Sequence, residues 1–151
     1  MKRHPDLTIT TRDDGQIDAH LGDPWTVFDD ALGDAISSLP PRGATGRGPS
    51  TYWIDVAEIG ARRATTSGDT NQFTWGNVTS LRIEGRDVVA AYEFDPDEND
   101  AEYMPLDDFL GLLAEWREHV LAAGSHSTIE FPETYRRNPI PLGPGEDEPA
   151  P

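Results

Sequence analysis

The sequence predicts an α+β domain in which a mostly antiparallel sheet of about five strands is covered by two helices. The predicted order is ββαβββα with a short final strand. Short runs of alternating apolar and polar residues are typical of strands, and two longer segments repeat apolar residues at helical spacing. Both helical stripes need burial, which one sheet face offers. A chain of 151 residues suits one domain, predicted at residues 1–143, with a disordered Pro-, Gly- and acid-rich tail at residues 144–151.

The first predicted elements are a β-hairpin and a helix. Residues 7–12 and 16–21 both alternate, and the "DDG" between them is typical of a tight turn. The helix is predicted within "GDPWTVFDDALGDAISSLPP", with Asp23 as its cap, Pro24 at its first position and two prolines at its end. Its apolar stripe consists of Trp25, Phe28, Leu32, Ile36 and Leu39.

Three strands are predicted in the middle of the chain. Residues 51–59, "TYWIDVAEI", are predicted as a strand, with Tyr52, Ile54 and Val56 on one face and Trp53, Asp55 and Ala57 on the other. Residues 73–84 and 88–94 form two further runs joined across a Gly-Arg-Asp turn, and one face of the second run holds Val88, Ala90, Tyr92 and Phe94. Trp53 and Trp75 lie on these predicted strands. Each is either part of the core or an exposed aromatic anchor for a partner.

The strongest helical pattern is "PLDDFLGLLAEWREHVLAAG", near the C-terminal end. Asp107 and Asp108 fall in its first turn, where the helix dipole favours negative charge, and Gly124 supplies a stop. A short strand, "STIEF", is predicted at residues 127–131. The apolar stripe of this helix consists of Phe109, Leu112, Leu113, Trp116 and Val120.

Net charge narrows the class of partner. The formal charge is −16, and residues 144–151 hold only three of those charges, so the remainder keeps −13. A field of this sign repels nucleic acid and anionic membranes and speeds encounter with cationic proteins. The sequence has no cysteine for thiolate chemistry, and no window has the apolar length of a signal peptide or membrane span. We therefore expect a cytoplasmic protein that binds neither nucleic acid nor membrane.

Residues 93–108, "EFDPDENDAEYMPLDD", form an acidic stretch with eight carboxylates in sixteen residues and no lysine or arginine. Asp95, Asp97 and Asn99 match the first, third and fifth positions of a calcium-binding EF-hand loop. The match fails at the sixth position, where Asp100 replaces the required glycine, and at the twelfth, where Leu106 replaces the required glutamate. The acidic stretch is therefore not predicted to be a metal site.

No catalytic set of residues is evident. Glu115 and His119 lie four apart on the last predicted helix, but no second such pair completes a metal site. Nucleophile-elbow, phosphate-loop and dinucleotide-binding motifs are missing. Paired carboxylates serve glycosidases, but only in a cleft and with one raised pKa, which spacing does not reveal. We predict a protein that is not an enzyme and uses no cofactor or metal, with a carboxylate-dependent hydrolase as the weaker alternative.

The segment "VVAAYEFDPDENDAEYMPLDDFLGLLAEWREHV" resembles the small acidic immunity proteins encoded beside toxin domains in actinobacterial polymorphic-toxin systems. The similar features are the closing strand, the acid-rich connection, the "MPLDDFLGLL" start of the helix with Trp116 after it, and the brief "YRRNP" segment. They cover roughly the last half of the chain. The resemblance implies a stoichiometric inhibitor that binds a cognate toxin, often a nuclease with a basic cleft, and blocks its active site or an adjacent exosite.

Charge and resemblance together predict a surface that contacts a basic toxin domain, with Tyr103 as an aromatic anchor and three aspartates of the first helix as a second surface. The alternative is an accessory or chaperone module for a basic client in a secretion or assembly system, which the acidity fits equally. The oligomeric state is left open. The predicted partner-binding residues are Asp95, Asp97, Glu98, Asp100, Glu102 and Tyr103 in the acidic stretch, and Asp29, Asp30 and Asp34 on the first helix.

Overall fold

The computed structural model describes residues 5–13, 15–39, 49–67, 72–95 and 97–123. Within these ranges the chain forms two antiparallel sheets, of two and four strands, and three helices. The predicted α+β class is confirmed. The order is ββααββββα, however, and two sheets replace the single sheet that was predicted. The predicted last strand at residues 127–131 and the tail at residues 144–151 lie outside the described residues.

The N-terminal hairpin is confirmed. Strands β1 (Leu7–Thr11) and β2 (Ile17–Leu21) pair along their whole length, and Gly15 in the connection has a φ of 91°, a left-handed conformation that glycine adopts without a steric penalty. Alternate residues of β2 are buried, starting at Ile17, so the hairpin lays one face on the core.

Helix α1 (Thr26–Asp34) is shorter than predicted and begins later. The predicted start at Asp23 and Pro24 is wrong, because a turn closes over residues 22–25 before the helix begins. Two N–H groups of its first turn donate to the carboxylate of Glu102, at 3.0 and 2.9 Å. A distant glutamate therefore caps the helix in place of the local aspartate.

The strand predicted at residues 51–59 is wrong: this segment is the start of helix α2 (Tyr52–Ser67). Apolar residues fall on both faces of those nine residues, and helical spacing becomes visible only when the later alanines count as core positions. Trp53 is 6% exposed and packs edge to face on Tyr52 at 4.9 Å, so it belongs to the core. The buried positions of α2 include Trp53, Val56, Ala57, Gly60, Ala61 and Ala64.

The larger sheet is antiparallel throughout, in the order β3-β4-β5-β6. The run predicted as one strand at residues 73–84 divides around Gly76, where a Cβ would lie 2.2 Å from the backbone oxygen of Asp34. The backbone of Trp75 lies in β3, and its side chain is outside the described part. The last strand lies inside the acidic stretch and was not predicted. The strands are β3 (Gln72–Trp75), β4 (Thr79–Glu84), β5 (Asp87–Tyr92) and β6 (Glu102–Pro105).

Helix α3 (Leu106–Ala122) is confirmed, with its predicted stripe buried and two acidic residues in its first turn. All three helices contact the four-stranded sheet, and the rings of Phe28 and Phe109 lie 6.3 Å apart in the core between them. Trp116 donates its indole N–H to the carbonyl of Ile17 at 2.9 Å, which ties α3 to the hairpin. None of the helices in the described ranges is long and apolar enough to cross a membrane.

Candidate functional site

One end of the four-stranded sheet gathers most of the predicted contact residues. We call it the acidic end, and it comprises the β3–β4 turn (residues 76–78), the β5–β6 loop (residues 93–101) and α1 beside them. The Glu93 N–H donates to the Val78 carbonyl at 2.7 Å and joins the loop to the turn, while α1 packs on β4 and β5. Two acidic groups that are far apart in the sequence are thus brought together.

Asp34, the last residue of α1, holds the β3–β4 turn in place. Its carboxylate accepts the N–H groups of Asn77, Val78 and Thr79 at 3.0, 3.0 and 2.8 Å, and the Thr79 hydroxyl at 2.6 Å. Burial alone would raise the pKa of Asp34, but these hydrogen bonds outweigh burial and lower the pKa below its usual value. Asp34 therefore has a structural role.

The other two predicted aspartates of α1 also have partners within the fold. Asp29 accepts the Leu21 N–H at 2.9 Å and lies 3.5 Å from Nδ1 of His20, so it links α1 to the hairpin. Asp30 accepts the hydroxyl proton of Tyr92. This hydrogen bond and, to a smaller extent, burial raise the pKa of Tyr92 to about 12. The phenol therefore keeps its proton near neutral pH and continues to donate to Asp30.

Glu98 anchors the β5–β6 loop to the sheet. Arg82 on β4 donates to both carboxylate oxygens, at 2.6 and 2.7 Å, and these bonds hold the pKa of Glu98 below its usual value. Glu98 has a φ of 53°, a left-handed conformation that costs a residue with a Cβ roughly 1–2 kcal/mol. The bidentate pair offsets that cost. Val89, cross-strand from Arg82 on the face away from the helices, is buried.

Two more predicted contact residues are used by the fold. Asp95 accepts the Asp100 N–H at 3.1 Å, which closes the loop on itself. Glu102 supplies the carboxylate that caps α1, where the helix dipole favours negative charge. Spacing along the sequence revealed neither contact, because each depends on how the loop folds back.

Three predicted contact residues remain directed to solvent. Asp97 and Asp100 are exposed, and no group in the described part of the chain donates a hydrogen bond to either carboxylate. Tyr103 on β6 is 49% exposed and faces away from the helices. Glu93 is exposed in the same way, although it was not among the contact residues predicted from the sequence.

Phe94 is a second residue that sequence reasoning missed. It was placed on the face of the strand that includes Tyr92, but β5 ends at Tyr92 and Phe94 is 70% exposed. Its ring stacks on that of Tyr92 with centroids 4.8 Å apart and planes 18° apart. Val78, 43% exposed, lies on the neighbouring turn. The available signal was a phenylalanine between Glu93 and Asp95, since charged neighbours argue against a buried strand.

Arginine is distributed unevenly over the molecule. On α3, Arg117 donates to Asp55 at 2.6 Å and to Glu58 at 2.5 Å, both on α2. Burial acts to raise the pKa of both carboxyls. Burial prevails at Asp55, whose pKa is raised, whereas the hydrogen bond from Arg117 prevails at Glu58, whose pKa is lowered.

The acidic end differs from this contact in its lack of cations. Its turn, loop and helix contain no lysine or arginine, and Arg82, which reaches in from β4, is bound to Glu98.

Among the described residues, no group of three or more His, Asp and Glu side chains is placed to hold a metal ion. Glu115 and His119 lie on α3, where neither belongs to such a group. The carboxylates of the acidic end instead face backbone N–H groups, hydroxyl groups, the side chains of His20 and Arg82, or solvent.

Comparisons with protein-family models, with curated proteins and with solved structures found no match to this chain. Function is therefore inferred from the geometry and charge of the surface.

Proposed function

We propose that the protein is an immunity-type inhibitor: a cytoplasmic, non-enzymatic protein that binds a basic toxin domain of the nuclease type and covers its active site or an adjacent exosite. The observation that carries the proposal is the acidic end, where carboxylates of α1 and the β5–β6 loop converge in elements without lysine or arginine. Placing three exposed carboxylates, Glu93, Asp97 and Asp100, in one short loop costs repulsion within the fold. A basic partner supplies the compensating attraction.

The contacts within the acidic end support this proposal because they set its shape before a partner arrives. Asp34 fixes the turn, Glu98 fixes the loop and Glu102 fixes the start of α1. A surface that is already ordered loses less conformational entropy on binding. Complementary charge also raises association rates above the neutral range of about 10⁵–10⁶ M⁻¹s⁻¹, which suits an inhibitor that must reach its toxin before damage occurs.

The product of the adjacent gene is the partner to test. The purified protein should bind it with one-to-one stoichiometry at low ionic strength, more slowly as salt is added, and co-expression should rescue cells from its toxicity. The absence of both a complex and rescue would remove the proposal. A complex without rescue would indicate the accessory or chaperone function instead.

A matched pair of charge reversals locates the interface. Asp97→Lys combined with Asp100→Lys should slow association by about tenfold and flatten its salt dependence, because rim charges act on the rate of encounter. The control, Asp13→Lys with Glu118→Lys, makes the same change in net charge at exposed positions of the hairpin connection and α3. It should change the rate by no more than about twofold. Equal effects would mean that net charge, and not the acidic end, determines association.

A further inference from the structure

Two exposed apolar side chains occupy adjacent segments of the acidic end. Val78 and Phe94 are 43% and 70% exposed, and the hydrogen bond from the Glu93 N–H to the Val78 carbonyl holds their segments together. An isolated exposed apolar residue is common on protein surfaces, but a group of them marks an interaction site. Tyr103, also exposed, lies on the opposite face of the sheet, which separates it from this pair.

The ring of Phe94 is positioned by its neighbours. One face stacks on Tyr92, with centroids 4.8 Å apart, and the hydroxyl of Tyr92 is hydrogen-bonded to Asp30 on α1. Since Tyr92 covers one face and the side chain is largely exposed, the other face of Phe94 is open to solvent. We call Phe94 and Tyr92 the aromatic platform.

Carboxylates lie beside the aromatic platform, where Asp30 accepts the hydroxyl proton of Tyr92. Glu93 and Asp95 flank Phe94 in the sequence, and Asp97 is exposed two residues further along the loop. The face of an aromatic ring attracts cations, and nearby carboxylates add to that attraction. A guanidinium suits such a surface better than an ammonium does, because it is planar, weakly hydrated and able to stack while its N–H groups reach carboxylates.

We propose that the aromatic platform binds an arginine side chain of the basic partner, stacked on the open face of Phe94 and hydrogen-bonded to neighbouring carboxylates. This inference rests on the proposed function and names the contact within the acidic end that retains the partner. The exposed charges govern encounter, whereas a stacked and desolvated contact governs dissociation.

The test measures binding of Phe94 variants to the adjacent-gene product by surface plasmon resonance at physiological salt. Phe94→Leu keeps an apolar side chain but removes the π face, and should raise Kd about tenfold through faster dissociation. Phe94→Tyr keeps the ring and should stay within about threefold of the unaltered protein. Tyr103→Leu makes the same chemical change at the anchor that the sequence predicted, on the opposite sheet face, and so tests the competing contact. If the aromatic platform is the anchor in its place, this variant should stay within about threefold of the unaltered protein.

Each outcome bears on one of the two proposals. Unchanged affinity of Phe94→Leu, or equal losses for Phe94→Leu and Tyr103→Leu, would overturn the platform but leave the proposed function standing, because a complex still forms. Failure of the unaltered protein to bind would overturn both. Phe94 is mostly exposed, so its variants should keep their thermal midpoints. In the unaltered complex, NMR shifts of the Phe94 ring protons give a readout without mutation, and unshifted protons would also overturn the platform.

Discussion

The α2–α3 contact and the acidic end both gather carboxylates but satisfy them differently. Between the helices, Arg117 bonds to Asp55 and Glu58 at 2.6 and 2.5 Å, so positive charge offsets negative charge inside the fold. At the acidic end, Asp34 is satisfied by backbone N–H groups and a hydroxyl, and Asp97 is exposed. A carboxylate held by uncharged donors keeps its net charge, so the surface around it remains available to a cationic partner.

The same contrast divides the acidic stretch. Glu98 resembles the carboxylates of α2, because Arg82 neutralises it and the pair fixes the loop. Its neighbour Asp97 is exposed, with no donor in the described ranges. Charge density along the sequence therefore does not separate structural carboxylates from those free to bind a partner; the contact made by each side chain does.

Removal of Arg117 should cause the largest loss of stability. Arg117→Ala leaves the partly buried Asp55 without its cation and Glu58 with only the exposed Arg62, and should lower the free energy of unfolding by about 2 kcal/mol in urea denaturation. Arg62→Ala removes the exposed i,i+4 partner of Glu58 and should cost at most about 0.5 kcal/mol. Similar losses for the two variants would show that the contact between the helices does not depend on its central arginine.

Acidification should change the contributions of Asp34 and Asp55 to folding stability in opposite directions. The folded-state pKa of Asp34 lies below its ordinary value of 3.8, so its stabilising contribution is present above that value and is lost as pH falls through the folded pKa. The folded-state pKa of Asp55 is raised above 3.8 by burial, so its contribution is present below that value and is lost as pH rises through the folded pKa.

Asp34→Asn should therefore cost about 1.5 kcal/mol near neutral pH and flatten the decline of stability on acidification from about pH 5 to about pH 3. Asp55→Asn should make that decline steeper. Urea denaturation at successive pH values measures both slopes relative to the unaltered protein. An unchanged slope in Asp34→Asn would contradict the role given to its hydrogen bonds with the turn.

The smallest effect on folding is expected at the exposed part of the loop. Asp97→Lys with Asp100→Lys should change the free energy of unfolding by no more than about 0.5 kcal/mol, because neither carboxylate accepts a bond from the described residues. Glu98→Lys in the same loop is the control. It replaces the Arg82 pair with a repulsion and should cost about 1–2 kcal/mol by the same measurement. A loss above about 1 kcal/mol in the double variant would make the exposed aspartates structural.

Local pattern predicted the elements whose core faces are unambiguous. In α3, large apolar residues recur at helical spacing over more than three turns, and in β2 buried and less buried residues alternate without interruption. The helical period therefore accounts for α3, and the two-residue period of a strand accounts for β2. In α2, the large buried residues lie side by side in the first turn, and the later core positions are mostly alanines. Residues 51–59 taken alone therefore favoured the two-residue period of a strand over the helical period. The strand β6 was missed because two of its four residues, Glu102 and Pro105, are unfavourable in strands.

The sequence by itself determined the α+β class, the hairpin, the last helix and the strong negative charge, because composition and short-range periodicity are properties of the chain alone. Tertiary structure decided which carboxylates stabilise the fold and which stay exposed. Glu102 caps a helix that begins at Thr26, and Asp34 holds a turn at residues 76–78. Such pairings join segments distant in sequence, and a carboxylate's partner depends on which donors the folded chain brings within hydrogen-bonding distance.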